Sequence, residues 1–161
     1  MASQTRSAGR RLSVAMIVRD EQEVIGTTIE SVQSIADEII VLDTGSTDQT
    51  NGIAGSLGAK ILRAAWKDDF SAARNRLLDE VTGEWVFWLD AGERVTPETA
   101  AKLRSFVDEQ ADPNRVYLLM VELPPAEPNG SSEQIAQPRL MPGQPGLWYT
   151  GRICETLRPS M

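Results

Sequence analysis

The stretch "WVFWLDAGERV", residues 85–95, decides how this chain folds. Trp85 to Leu89 run without polar alternation, the pattern of a strand covered on both faces, as in a parallel sheet. The run stops at a carboxylate, Asp90. Two small residues, Ala91 and Gly92, separate it from a second acid, Glu93.

The flanks carry helix signals. Upstream, "DDFSAARNRLLDEVTGE" (68–84) reads as a helix with Ser71 or Asp69 as N-cap and Gly83 as its stop. Downstream, Thr96 followed by Pro97 starts a helix with proline at its first position, running to about Glu109. Further out, "LSVAMIV" (12–18), "DEIIVLD" (37–43), "AKILRAA" (59–65) and "RVYLLMVEL" (115–123) read as strands. A helix is expected from "RDEQE" to about Ile35, and another, capped by Ser46 or Thr47, ends near Leu57 with Gly58 as its stop. Residues 1–11 read as a flexible polar leader, and "PPAEPNGSSEQ" (124–134) as a mobile loop. Residues 12–161 make one domain. The alternation implies an α/β fold with a mostly parallel central sheet flanked by helices, Rossmann-like.

Composition narrows the function. With 16 basic and 23 acidic residues the net charge is −7, which argues against nucleic acid or a basic membrane surface as partner. There is no histidine, so no imidazole base or ligand exists. The single Cys154 cannot form an internal disulfide, which suits the cytoplasm. No apolar run is long enough to span a membrane.

Ligands of such sheets sit beyond the carboxyl ends of the strands. Three ends deliver polar groups there: Arg19-Asp20-Glu21, Asp43 and Asp90. Carboxylates accept hydrogen bonds from a ribose or base edge, or hold a divalent cation against a diphosphate. Neither a G-x-G-x-x-G nor a G-x-x-x-x-G-K-[ST] loop is present.

Six segments, in order, carry a resemblance: "LSVAMIVRDEQEVI", "ADEIIVLDTGSTDQT", "LGAKI", "WKDDFSAARN", "GEWVFWLDAGE" and "QPRLMPGQPGLWYTGRICETL". The chain resembles family 2 glycosyltransferases of the GT-A fold, in the branch with "DDFSAARN". That resemblance implies transfer of a sugar from a nucleotide-diphosphate donor, a UDP-sugar favoured, with inversion, to an unknown glycan, lipid or protein acceptor.

Matched residue by residue, Asp43 becomes the acid that accepts from the nucleobase; otherwise it is a turn-forming residue. Arg74 lies near the base or diphosphate, or is a solvated helix charge. Asp69, with Asp68, contacts the nucleotide or caps the helix. Arg19 and Glu21 line the first strand's exit, as nucleotide contacts or a solvated helix start. "DAGE" occupies the D-x-D position, so Asp90 faces the ribose and a manganese or magnesium ion. Many relatives have an acid where this chain has Gly92, and Glu93 is the substitute metal ligand, one position late. "GRICE" stands where the branch has "GRIHE", making Glu155 the general base, or else a surface acid paired with Arg152 or Arg158. Cys154 reads as an inert thiol rather than a ligand.

With few acids and no imidazole, cation binding is expected to be weak without nucleotide. Because the chain ends soon after "GRICE", the expectation is of a short or truncated member with an incomplete acceptor side, better at binding donor than at transfer. A nucleotide-sugar-binding pseudoenzyme or scaffold is the alternative reading, and a nucleotidyltransferase a more distant one, since the basic glycine-rich first loop is absent.

Overall fold

The computed structural model describes residues 9–123, 125, 131–143, 147–152 and 156–159. Four parallel strands form the base of the main sheet: β1 (Leu12–Val18), β2 (Glu38–Asp43), β3 (Lys60–Arg63) and β4 (Trp85–Trp88). Two more strands, β5 (Tyr117–Leu123) and β6 (Glu133–Pro142), complete it in the order β3-β2-β1-β4-β6-β5. β6 runs antiparallel to β4, and β5 antiparallel to β6. The helices are α1 (Ile25–Glu30), α2 (Thr50–Ser56), α3 (Phe70–Leu78) and α4 (Pro97–Glu109). A separate antiparallel pair, β7 (Leu147–Thr150) and β8 (Thr156–Pro159), follows. No helix among the described residues is long and apolar enough to cross a membrane.

The unalternating β4 is buried throughout, as its sequence requires. Trp85, Phe87 and Leu89 face a core shared with Ile25 and Ile29 of α1 and with Leu103 and Val107 of α4. Val86 and Trp88 face the opposite core, with Ala73 and Leu77 of α3 and with Tyr149 of β7. Burial of each such large side chain contributes about 1.5–3 kcal/mol, so both layers are needed to hold the strand.

Caps follow the local chemistry in two helices. The Asp69 carboxylate accepts from Ala72 N–H at 2.9 Å to open α3, and Thr96 Oγ1 accepts from Thr99 N–H at 3.2 Å to open α4, with Pro97 next.

Elsewhere tertiary bonds override the sequence pattern. α1 begins at Ile25, not in "RDEQE", because the backbone N–H groups of Asp20, Glu21 and Gln22 donate to the side chains of Ser46, Thr50 and Asp48. Ser46 is thereby withdrawn from capping α2, and Thr47 donates its N–H to Asp20 at 2.7 Å. Asp48 accepts from Thr50 N–H instead. Gly83 does not terminate α3, which stops at Leu78. It lies under β1, where its N–H donates to Ser13 Oγ at 3.0 Å.

The expected leader divides. Residues 1–8 lie outside the described residues, while Arg10 and Arg11 bond to Ala111 and Thr82. Most of the expected loop 124–134 also lies outside the described residues, and β6 already begins at Glu133.

Candidate functional site

β1 has β2 on one side and β4 on the other, so the strand order reverses beside it. The crevice outside the carboxyl ends of β1, β2 and β4 is where a doubly wound sheet takes its ligands. Val18 pairs with Asp43 and Ala15 with Trp88, which brings the tips of β2 and β4 to nearly the same level.

At the β2 tip, Asp43 is buried, with 4% of its surface exposed. Its Oδ1 accepts from Ser46 N–H at 2.9 Å, and its Oδ2 from the Asn51 amide at 2.8 Å. Burial pushes this carboxyl up, but the hydrogen bonds from Asn51, Ser46 and Gly45 outweigh it and hold the group below its ordinary value. Asp43 lines an open cleft of about 450 Å³ with Gly45, Ser46, Asn51 and Arg63. That cleft shares Ala64 and Ala65 with a hollow of about 210 Å³ reached by Trp66, Lys67 and Asp69. Asp43 and Asp69 are thus brought to neighbouring cavities.

At the β4 tip the acids meet a cation. Arg139 of β6 donates from Nη2 to Asp90 Oδ2 at 2.9 Å and to Glu93 Oε1 at 2.6 Å. Glu93 Oε2 accepts the Asp90 N–H at 2.9 Å. Between them Gly92 has a φ of +93°, a conformation that favours glycine, and its N–H donates to Thr28 Oγ1. The Glu93 carboxyl is pushed up, first by burial and also by the charge of Asp90, although the Asp90 N–H and Arg139 pull it down.

Among the described residues no three acid, cysteine or histidine side chains converge to hold a metal ion. Asp90 Oδ1 makes no hydrogen bond among them, whereas both oxygens of Glu93 do. This corner fits a cation that draws most of its ligands from a bound diphosphate.

The other candidates are placed as follows. Arg19 is exposed, 4.0 Å from Asp20. Glu21 is half-buried, and its N–H donates to Thr50 Oγ1 at 2.7 Å. Arg74 does not line the Asp43 cleft; its guanidinium stacks over Trp88 at 4.7 Å and Tyr149 at 5.3 Å, beside the β4 tip. Glu155 and Cys154 lie outside the described residues.

Three groups were not legible as site residues: Asn51, Arg139 and Asn75. Asn75 of "AARN" is buried, donates to Tyr149 C=O at 2.9 Å and accepts from Tyr149 N–H at 2.8 Å. Ser71 of the same motif donates to Gly151 C=O. The motif's polar residues therefore fasten the chain just before "RICE" onto α3. Their four-residue spacing, one helical face, is the signal that identifies them.

A family model described as glycosyl transferase family 2 matches residues 13–120. The chain is 48% identical over 103 residues to a TPR repeat-containing protein of Synechococcus elongatus, covering 64% of this chain and 26% of that protein. It is 33% identical over 105 residues to the SPbeta prophage-derived glycosyltransferase SunS of Bacillus subtilis, covering 64% and 25%. A crystal structure of glucosyl-3-phosphoglycerate synthase from Mycobacterium tuberculosis in complex with phosphoglyceric acid is similar with a TM-score of 0.53 and 26% identity, over 64% of this chain and 42% of that one. The chain spans about a quarter of the length of these curated relatives.

Proposed function

The chain belongs to glycosyl transferase family 2, and from that premise we propose that it binds a nucleoside-diphosphate sugar, a uridine diphosphate sugar by preference, and transfers the sugar to an acceptor with inversion. The observation that carries this reading is the pair of carboxylates flanking the strand-order switch, Asp43 at the β2 tip and Asp90 at the β4 tip.

Asp43, held ionised by two local donors, accepts a hydrogen bond from the base edge. Asp69 and Arg19, with Glu21, border the same edge, and Arg74 stands beside the diphosphate. Asp90 Oδ1 faces the ribose and diphosphate and would hold a manganese or magnesium ion there. When bound, that ion neutralises charge on the leaving diphosphate. Glu155 is the residue to take the acceptor's proton, a role worth typically ~10²–10⁴-fold in rate. The tether of Ser71 and Asn75 to Gly151 and Tyr149 fixes the chain as far as Gly151. The donor chemistry and lone cysteine suit the cytoplasm.

Calorimetry with UDP and UDP-sugars tests the reading, on the wild type and Asp43→Ala. The wild type binds, and the variant binds roughly 10–100-fold more weakly, the worth of a hydrogen bond to a charged group. Equal affinities, or no binding to any nucleotide, would overturn it. Binding without turnover on any acceptor favours a donor-binding module instead.

A further inference from the structure

The Asp90 corner contains more structure than a pair of ligands requires. Arg139 is buried, with 4% exposure, and a single nitrogen serves both acids while its Nε has no partner among the described residues. Burying a guanidinium is costly, and here the two ion pairs with Asp90 and Glu93 offset the cost, so the three groups are held as a unit. Glu93 turns both oxygens inward, one onto Arg139 and one onto the Asp90 backbone. The turn is closed by Glu93 N–H donating to Asp90 C=O at 3.0 Å. It is anchored from α1 and the turn after it, where Thr28 accepts from Gly92 N–H and Ser31 accepts from Val95 N–H. The two acids differ in what they leave open. Asp90's side chain is 58% exposed with Oδ1 unbonded among the described residues, while Glu93's is 24% exposed with a hydrogen bond on each oxygen.

We propose that Glu93 and Arg139 are a positioning pair: they lock the backbone and side chain of Asp90 so that its Oδ1 is the oxygen this turn presents to the diphosphate-bound cation, and Glu93 itself is not a ligand. This rests on the reading above that Asp90 faces a nucleotide-bound ion. It also accounts for Gly92. The positive φ there folds the chain back so that Glu93 reaches Asp90 N–H.

The rival is that Arg139 merely competes with the cation for two ligands. The two readings differ in sign. If Arg139 positions Asp90, Arg139→Gln weakens manganese binding to the UDP complex by roughly 10-fold, the usual scale for losing a group that orients a metal ligand, and Arg139→Lys recovers part of it. If Arg139 competes, Arg139→Gln tightens manganese. The electron paramagnetic resonance signal of free manganese, titrated with protein and UDP, measures this directly. Pulsed resonance in ¹⁷O-water counts the waters on the bound ion. The count is unchanged in Glu93→Ala, whose side chain has no oxygen to offer, if Glu93 is no ligand, and rises by one if it is. That count decides the question even where Arg139→Gln does not fold. Tighter or unchanged manganese in a folded Arg139→Gln, or an added water in Glu93→Ala, overturns the proposal. UDP affinity without metal is measured alongside. Its absence in the wild type overturns the donor-site reading itself, whereas its presence with the wrong manganese response overturns only the positioning pair.

Discussion

Asp43 and Asp90 both stand at the carboxyl tip of a buried parallel strand, yet their surroundings are opposite. Asp43 is sequestered and held by neutral donors three and eight residues further along, Ser46 and Asn51. Asp90 is open to solvent and held by a guanidinium 49 residues away on β6. The first corner is assembled by its own loop and the helix that follows. The second exists only when β6 has docked against β4. A carboxylate satisfied locally keeps its orientation while the strand beside it stands, whereas one satisfied from a distant strand depends on the register of the sheet.

The largest test separates the corners by disturbing that register. A Cβ on Gly143 would lie 2.1 Å from the carbonyl oxygen of Gly83, a backbone atom that cannot swing aside. Gly143→Ala should therefore push the end of β6 from β4 and cost about 3 kcal/mol, the upper part of the usual overpacking range. Urea unfolding measures the cost. Calorimetry with UDP should show the Asp43-dependent part of binding retained while manganese binding is lost. If both fall together, the corners are not independent.

A smaller effect comes from restoring the D-x-D spacing. Gly92→Asp puts a side chain at a φ of +93°, so it should lower stability by about 1–2 kcal/mol. It should also tighten manganese in the nucleotide complex by adding an exposed oxygen. An unchanged melting temperature would mean that the turn relaxes, and unchanged manganese affinity that the new acid does not reach the ion.

The smallest difference lies in pH dependence, where the corners act with opposite sign. The lowered Asp43 carboxyl contributes stability above the unfolded value, near pH ~4, and that contribution is lost as pH falls through the folded value. The raised Glu93 carboxyl resists ionisation in the fold, so stability falls as pH rises from the unfolded value, also near pH ~4, towards the folded one. Relative to wild type, Asp43→Asn should recover on acidification below about pH 4, and Glu93→Gln should gain as pH rises above it. Denaturation curves at several pH values measure both. Parallel wild-type and variant profiles would contradict the assignment.

The parallel half of the sheet was legible because its evidence is local. "WVFWL" states that both faces are covered, and Thr96-Pro97 and Asp69 carry their own capping chemistry. The sequence predicted Asp43 and Asp90 for the same reason, since each ends an apolar run. β6 was not legible. "EQIAQPRLMP" contains two prolines, and only its Arg139–Met141 stretch is fully buried. The late start of α1 is not legible in the local pattern, because the N–H groups of Asp20, Glu21 and Gln22 are taken by side chains of Ser46, Thr50 and Asp48, more than 25 residues away.

The sequence by itself determined the α/β alternation, the buried strands, the strand-tip acids and the absence of any imidazole, because periodicity, capping and residue chemistry act within one or two turns of chain. Only the tertiary structure decided which acid is buried and which is presented, and that Arg74 stacks on Trp88 and Tyr149. It also decided that Glu93 turns inward and that Arg139 supplies the cation at the β4 tip. Those outcomes depend on strand order and register, which bring Arg139 within 3 Å of Asp90 and Glu93 and set Arg74 over the rings of Trp88 and Tyr149, and hydrogen bonds form only at such short range.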